Sequence, residues 1–224
     1  MMDRWFPENI STYGADVDGV FYLIYYIVGF WFVLSQVAII YFIVRYRRRS
    51  GARAVYVRGD RWRELSWIMV PAAIVLVLDL GIDAAGARVW DTVKTHLPAG
   101  DVHLDVTAKQ FEWLVAYPGL DAQLGTTDDF TVNSELHVPT GKDIRLTLRS
   151  QDVLHSFFLP NVRLKQDAVP GRSIDVWFNV TKPGTYELAC AELCGFGHYT
   201  MRGQFIVHTP EDYDRWVREQ ASKT

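Results

Sequence analysis

From Val20 to Val44 the chain reads VFYLIYYIVGFWFVLSQVAIIYFIV, without one charged side chain. At about 1.5 Å per residue such a helix outreaches a hydrocarbon core of about 30 Å, so the run predicts a membrane helix over residues 20–44. The core helix of a soluble domain rarely carries so long an uncharged run. A second apolar stretch, residues 66–90, is flanked by Trp67 and Trp90 and interrupted by Asp79 and Asp83. Tryptophans at both ends suit the interfacial belts of a span, and Pro71 near one end is tolerated in a membrane helix. The two aspartates lie four apart and share one helix face, which should meet protein or water, not lipid. Together the stretches predict a helical hairpin of two transmembrane helices.

Beyond Val89 the period shortens to two. Val102-His-Leu-Asp-Val106, Phe111-Glu-Trp113-Leu-Val115, Ile144-Arg-Leu-Thr-Leu148 and Ile174-Asp-Val-Trp177 alternate, and Pro118-Gly119, Thr140-Gly141, Pro170-Gly171 and Pro183-Gly184 mark turns. This predicts an all-β, antiparallel sandwich or barrel over residues 91–208. Thr209-Pro210-Glu211-Asp212 then opens a short C-terminal helix in residues 209–224, with threonine as cap and proline in the first turn.

Charge orients this arrangement. Eight arginines lie between Arg45 and Arg63, and by the positive-inside rule the loop 45–65 is cytoplasmic. Residues 1–19 and everything after Trp90 are then extracytoplasmic. A basic loop can also hold nucleic acid, but flanking spans make it a topology signal, and no nucleic-acid partner is expected. No cleavable signal peptide is expected either, because the first span is too long and lacks a basic flank before it. Of the 224 residues 49% are hydrophobic and 14% aromatic, concentrated in the first ninety or so, which favours membrane segments plus a small domain over one large domain.

The chemistry gathers near the end of the chain. Cys190-Ala-Glu192-Leu-Cys194-Gly-Phe-Gly-His198-Tyr-Thr-Met201 holds both cysteines of the protein. Two thiolates, an imidazole and a thioether form a soft ligand set that selects copper over magnesium, calcium or manganese. A mononuclear blue-copper site needs one thiolate, two imidazoles and a methionine, so here one cysteine is left over. With His155 as a second imidazole, the count suits two copper ions bridged by both sulfurs, and the Glu192 carbonyl lies where it could add a ligand. A Cys190–Cys194 disulfide is the alternative in an extracytoplasmic domain, but it leaves the spacing of His198 and Met201 unexplained; structural zinc does not call for Met201. His96, His103, His137 and His208 have no partners at ligand spacing and read as ordinary surface or strand residues.

These residues carry a resemblance. His155-Ser-Phe-Phe-Leu-Pro-Asn-Val-Arg-Leu-Lys165-Gln-Asp167-Ala-Val-Pro-Gly171-Arg172, followed by the cysteine run, resembles subunit II of the haem-copper cytochrome c oxidases. With the two spans the resemblance covers nearly the whole chain. It implies a cupredoxin-like domain over 91–208 and a multi-pass protein of the plasma membrane with that domain on the extracytoplasmic side. It also implies a dinuclear copper A centre held by His155, Cys190, Cys194, His198, Met201 and the Glu192 carbonyl. Electrons from a c-type cytochrome enter there and pass to haem in subunit I of a proton-pumping oxidase that reduces oxygen to water. The Glu192 side chain is implied to ligate magnesium or manganese at the boundary with subunit I. Glu64 falls at the cytoplasmic entrance of a proton path, Asp167 beside the haem propionates of subunit I, and Asp152 among the acids that steer cytochrome c. Subunits I and III and membrane lipid are the implied neighbours, and the haems belong to partner subunits only.

Two departures matter. The family pattern Gln-Trp-x-Trp is here Gln110-Phe111-Glu112-Trp113, which puts Phe111 at the position of electron entry; phenylalanine packs against a haem edge but lacks the indole donor. No cysteine remains for a fused Cys-x2-Cys-His haem site, so the donor is expected to be another polypeptide. It could be soluble, membrane-bound, or part of a quinol-oxidising complex in a supercomplex. About five more acidic than basic residues from Asp91 onward suit a basic partner. A membrane-anchored copper carrier is the less favoured function, since carriers expose few and labile ligands. Nitrous oxide reductase has a catalytic propeller not encoded here, and quinol oxidase subunits lack the copper ligands.

Overall fold

The computed structural model describes residues 6–51, 53 and 56–223. It divides into a helical unit, residues 16–89, and a β unit formed by the N-terminal residues up to Ala15 together with Trp90 onward.

The helical unit holds helix α1, Gly14–Arg45, and helix α2, Trp62–Trp90. Each begins a few residues before its apolar run. Asp16 and Glu64 stand in the first turns, where a carboxylate meets the positive end of the helix dipole. The Glu64 carboxylate also accepts a 2.7 Å hydrogen bond from the Gly59 N–H. Each helix contains an 18-residue stretch of high mean hydropathy, 2.3 in the first and 2.2 in the second, and is long enough to cross a membrane. Asp79 and Asp83 are exposed on α2.

The β unit packs two five-stranded sheets. One contains β1 (Val102–Lys109), β2 (Glu112–Tyr117), β3 (Phe130–Asn133), β5 (Asp143–Ser150) and β8 (Ile174–Asn179), in the order β3-β2-β1-β5-β8. The other contains β4 (Glu135–Pro139), β6 (His155–Leu159), β7 (Leu164–Ala168), β9 (Gly184–Cys190) and β10 (Arg202–His208), in the order β4-β10-β9-β6-β7. Alternate residues point inward. Leu104, Val106 and Ala108 of β1 meet the core with Ile144, Leu146 and Leu148 of β5, and Leu136, Val138, Phe157, Leu188 and Phe205 close it from the other sheet. Each of these side chains larger than alanine stabilises the fold by about 1.5–3 kcal/mol before conformational entropy is counted.

The expected antiparallel order holds only in part. β1 runs parallel to β5, with Val102 opposite Ile144, and β4 runs parallel to β10, with Glu135 opposite Gln204. Alternation reveals which face of a strand is buried, but it is the same for either direction of the neighbour.

Residues ahead of α1 also belong to the β unit. Ile10 and Tyr13 are buried; the Ile10 N–H donates to the Asn161 carbonyl at 2.9 Å, and Thr181 N–H donates to the Ile10 carbonyl at 2.8 Å. Reading 1–19 as a segment apart did not anticipate this, because two apolar residues are too few for a periodic signal. The C-terminal helix α3, Pro210–Ala221, is capped by Thr209, whose hydroxyl accepts from the Asp212 N–H at 3.2 Å. Its Trp216 stacks on His137 with ring centroids 4.0 Å apart.

Candidate metal centre

β6 starts at His155 and β9 ends at Cys190, and Phe157 pairs with Cys190 across the two strands, so the sheet register alone sets an imidazole beside a thiol. The loop from Ala191 to Met201 then folds back over this end of the sandwich. Its course is fixed by backbone hydrogen bonds: Ala191 N–H to Ser156 O at 2.9 Å, Cys190 N–H to Met201 O at 3.1 Å, and His198 N–H to Gly195 O at 3.1 Å. A short 3-10 turn, His198–Thr200, brings the second imidazole round. Side chains held by a hydrogen-bonded loop on a stiff sheet end move little.

The donors converge. Cys190 Sγ and Cys194 Sγ lie 3.9 Å apart as free thiols. His155 Nδ1 stands 4.0 Å from Cys190 Sγ, and His198 Nδ1 stands 3.6 Å from Cys194 Sγ. Two further donors complete the set: the Glu192 carbonyl oxygen is 3.2 Å from Cys190 Sγ, and Met201 Sδ is 3.7 Å from Cys194 Sγ. Each sulfur therefore has one imidazole and one weaker donor beside it. Among these groups the His155 nitrogen and both sulfurs fall within 4.8 Å of one another. His155 and Met201 are fully buried and Cys194 is 4% exposed.

The chemistry of the set fits a soft metal. Burial, reinforced by the neighbouring Cys190 sulfur, pushes the Cys194 thiol up to about 11. Two thiolates side by side in this pocket therefore need a cation to sustain them. The sulfur pair, with a buried thioether at its edge, excludes hard cations from that role.

Behind the donors sits a second layer of contacts. The Asp152 carboxylate accepts from His155 Nε2 at 2.8 Å, from the Val153 N–H at 2.6 Å and from the Gln110 N–H at 2.7 Å. Burial works to raise this carboxyl, but the hydrogen bond from His155 and those from the two N–H groups outweigh it and hold it below the usual carboxylate range. Gln110 Nε2 donates to the Cys194 carbonyl at 2.6 Å. The Phe111 ring lies on the glycines of the ligand loop: a Cβ on Gly197 would stand 2.5 Å from Phe111 Cδ2, and one on Gly195 would stand 2.7 Å from Gln110 Nε2. Nothing in the alternation of the sequence points to the Gln110 side chain, which lies in the turn between β1 and β2.

Comparison with known proteins points to one family. Residues 103–207 match the family model described as cytochrome C oxidase subunit II, periplasmic domain. A cytochrome c oxidase subunit 2 of Thermostichus vulcanus is 35% identical over 95% of this chain and 77% of its own length. An alternative cytochrome c oxidase subunit 2 of Bradyrhizobium diazoefficiens is 31% identical over 98% of this chain and 86% of its own. The chain belongs to the cytochrome c oxidase subunit II family. Among solved structures, the periplasmic domain of subunit II of cytochrome oxidase of Bradyrhizobium japonicum superposes with a TM-score of 0.52 at 31% identity, over 57% of this chain and 99% of that one.

As a subunit II, the chain distributes its other singled-out residues widely. Phe111 is 36% exposed over the ligand loop, whereas Trp113 is fully buried and packs edge-on against Phe157 and His155. Asp152 touches a donor histidine directly. Asp167 is exposed on β7, opposite Ser156. Glu192 is half-buried at the start of the ligand loop. Glu64 lies in the helical unit, at the N-terminal turn of α2. His137 and His208, read as ordinary strand residues, do lie in strands, but their rings meet: His137 Nδ1 and His208 Nε2 are 2.8 Å apart.

Proposed function

We propose that this subunit II receives electrons from a c-type cytochrome at a dinuclear copper A centre and delivers them to haem in subunit I, where oxygen is reduced to water. The observation that carries the proposal is the pairing of donors, one imidazole and one weak donor beside each of two adjacent sulfurs. Two soft metal ions would draw on every one of these groups, and a single ion would not. The holding residues are His155, Cys190, Cys194, His198, Met201 and the Glu192 carbonyl. Bound there, copper supplies a one-electron acceptor and donor whose charge change is shared between two nuclei.

The protein's own part is geometric and electrostatic. Buried His155 and Met201 keep water from one side of the centre, and Asp152 holds the His155 ring by its Nε2–H, leaving Nδ1 to face the sulfur. Leu193, Phe196 and Tyr199 stand exposed on the ligand loop and offer apolar contact to neighbouring subunits or a haem edge. Phe111 covers the loop at the point of electron entry. The Glu192 side chain takes the magnesium or manganese at the boundary with subunit I, and Asp167 stands toward the haem propionates. The two apolar helices anchor the chain in the plasma membrane beside subunits I and III, with the β unit on the extracytoplasmic side and Asp79 and Asp83 turned to protein. Glu64 lies at the cytoplasmic entrance of a proton path, in the first turn of α2.

Rapid mixing of the copper-loaded full-length chain with reduced cytochrome c tests the electron-transfer step. Oxidation of the cytochrome within the mixing experiment, abolished by Cys194→Ser, is the expected result; a copper-loaded wild type that leaves the cytochrome reduced would overturn the proposal. In the assembled oxidase, Glu64→Gln is expected to slow oxygen turnover while copper reduction by cytochrome c keeps its wild-type rate. Unchanged turnover would remove Glu64 from the proton path.

A further inference from the structure

Two residues outside the donor set join its two halves. Starting from the ligand loop, the Cys194 carbonyl accepts from Gln110 Nε2 at 2.6 Å. The backbone N–H of the same Gln110 donates to one Asp152 carboxylate oxygen at 2.7 Å. The other oxygen of Asp152 accepts from His155 Nε2 at 2.8 Å. The path runs from a donor cysteine to a donor histidine through a residue 84 positions from the first and a carboxylate 42 positions from that residue. It crosses from one sheet to the other, since Gln110 follows β1 and the donors sit on β6 and after β9. No backbone ladder links the β1–β2 turn to the ligand loop, so side chains make this connection.

We propose that Gln110 and Asp152 are positioning residues that act in series as one brace, holding His155 and the Cys194 loop in mutual register around the metal. The proposal rests on the metal-centre reading above. Three physical points support it. The brace uses both carboxylate oxygens of Asp152, so moving either His155 or the turn breaks a charge-assisted hydrogen bond. A carboxylate on the distal imidazole N–H fixes the tautomer and ring orientation and strengthens the other nitrogen as a donor, and loss of such partners costs about 10–100-fold in metal affinity. Gln110 enters the path through its side chain and leaves it through its backbone N–H, so it transmits a fixed distance and does not merely fill space.

A series connection has a signature that independent contacts lack. Cutting it at either link releases the register, and cutting it twice does no more. The experiment uses the full-length chain in detergent, loaded with copper, comparing the wild type with Gln110→Ala, Asp152→Ala, Asp152→Asn and the double variant Gln110→Ala/Asp152→Ala. The readouts are the rate of copper loss to a chelator and the copper hyperfine pattern. Gln110→Ala and Asp152→Ala are each expected to speed copper loss by about 10–100-fold, and the double variant to match the worse single within about threefold. Asp152→Asn keeps the volume and one acceptor but no charge; it is expected to retain copper better than Asp152→Ala while its hyperfine pattern stays altered. If Asp152→Ala does not fold, the cycle is completed with Asp152→Asn. Lys109→Ala, in the same hairpin but outside the path, should behave as wild type. Effects that multiply in the double variant, or single variants that hold copper as the wild type does, would overturn the brace. A wild type that takes up no copper would instead overturn the metal-centre reading, so the two failures are told apart.

Discussion

At Phe111 a single side chain has two jobs that its neighbour Trp113 does not share. It is a partly exposed aromatic packed over the ligand loop from the β1–β2 turn, and its ring lies where a Cβ on Gly197 would come within 2.5 Å of Cδ2, 2.7 Å of Cε2 and 2.8 Å of Cγ. Phe111→Ala is therefore expected to slow electron input from cytochrome c by about tenfold, a barrier change of about 1.4 kcal/mol, with little change in unfolding midpoint. Trp113, buried against Phe157, contributes to the core instead, and Trp113→Ala is expected to cost about 3–5 kcal/mol in a denaturation experiment. Gly197→Ala should push the Phe111 ring aside and reproduce the slow electron input. In a Phe111→Ala background the same change should have no further effect, which stopped-flow mixing of the single and double variants would show. The donors themselves were readable in the sequence, because soft ligands at Cys-x3-Cys-x3-His-x2-Met spacing have few other uses. The role of Gln110 was not, because the family pattern places it but says nothing of its side-chain contact, which appears only when the fold sets it against a carbonyl 84 residues away.

Among the elements, α3 depends most on what it covers. Trp216 stacks on His137, and His137 meets His208 on the adjacent strand and Glu135 on its own. The hydroxyl of Tyr117 accepts from the His137 N–H at 2.6 Å, while Asp212 and Tyr213 of α3 face His208. Burial lowers both imidazoles below the ordinary 6.5, with Glu135 opposing it at His137 and Asp212 at His208. A histidine depressed in the folded state adds stability that is complete above its unfolded value. That stability is lost as pH falls from there through the folded value, because the unfolded chain binds protons first. Lowering the pH from about 7 to about 5 should thus lower the thermal midpoint of the β unit and alter Trp216 fluorescence. His137→Gln should flatten this dependence; an unchanged slope in that variant would place its origin elsewhere. The helix and its threonine cap were legible from Thr209-Pro210-Glu211-Asp212, whereas the stacked histidines were not, since His137 and His208 are 71 residues apart and meet only through the parallel β4–β10 pairing.

For the whole molecule, hydropathy and alternation carried the division into two apolar helices and a β sandwich, since each depends on a local period. Strand direction did not follow, and neither did the docking of Ile10 and Tyr13 into the β unit, because both depend on partners distant in sequence. Everything converges on one end of that sandwich, where two sulfurs 3.9 Å apart are each attended by an imidazole. In the proposed reading that arrangement holds two metal ions that behave as one electron acceptor. Electron paramagnetic resonance of the copper-loaded full-length chain reads this property directly. The expected spectrum shows one unpaired electron shared equally by two copper nuclei, in a chain holding two coppers. A hyperfine pattern from a single copper nucleus would contradict it.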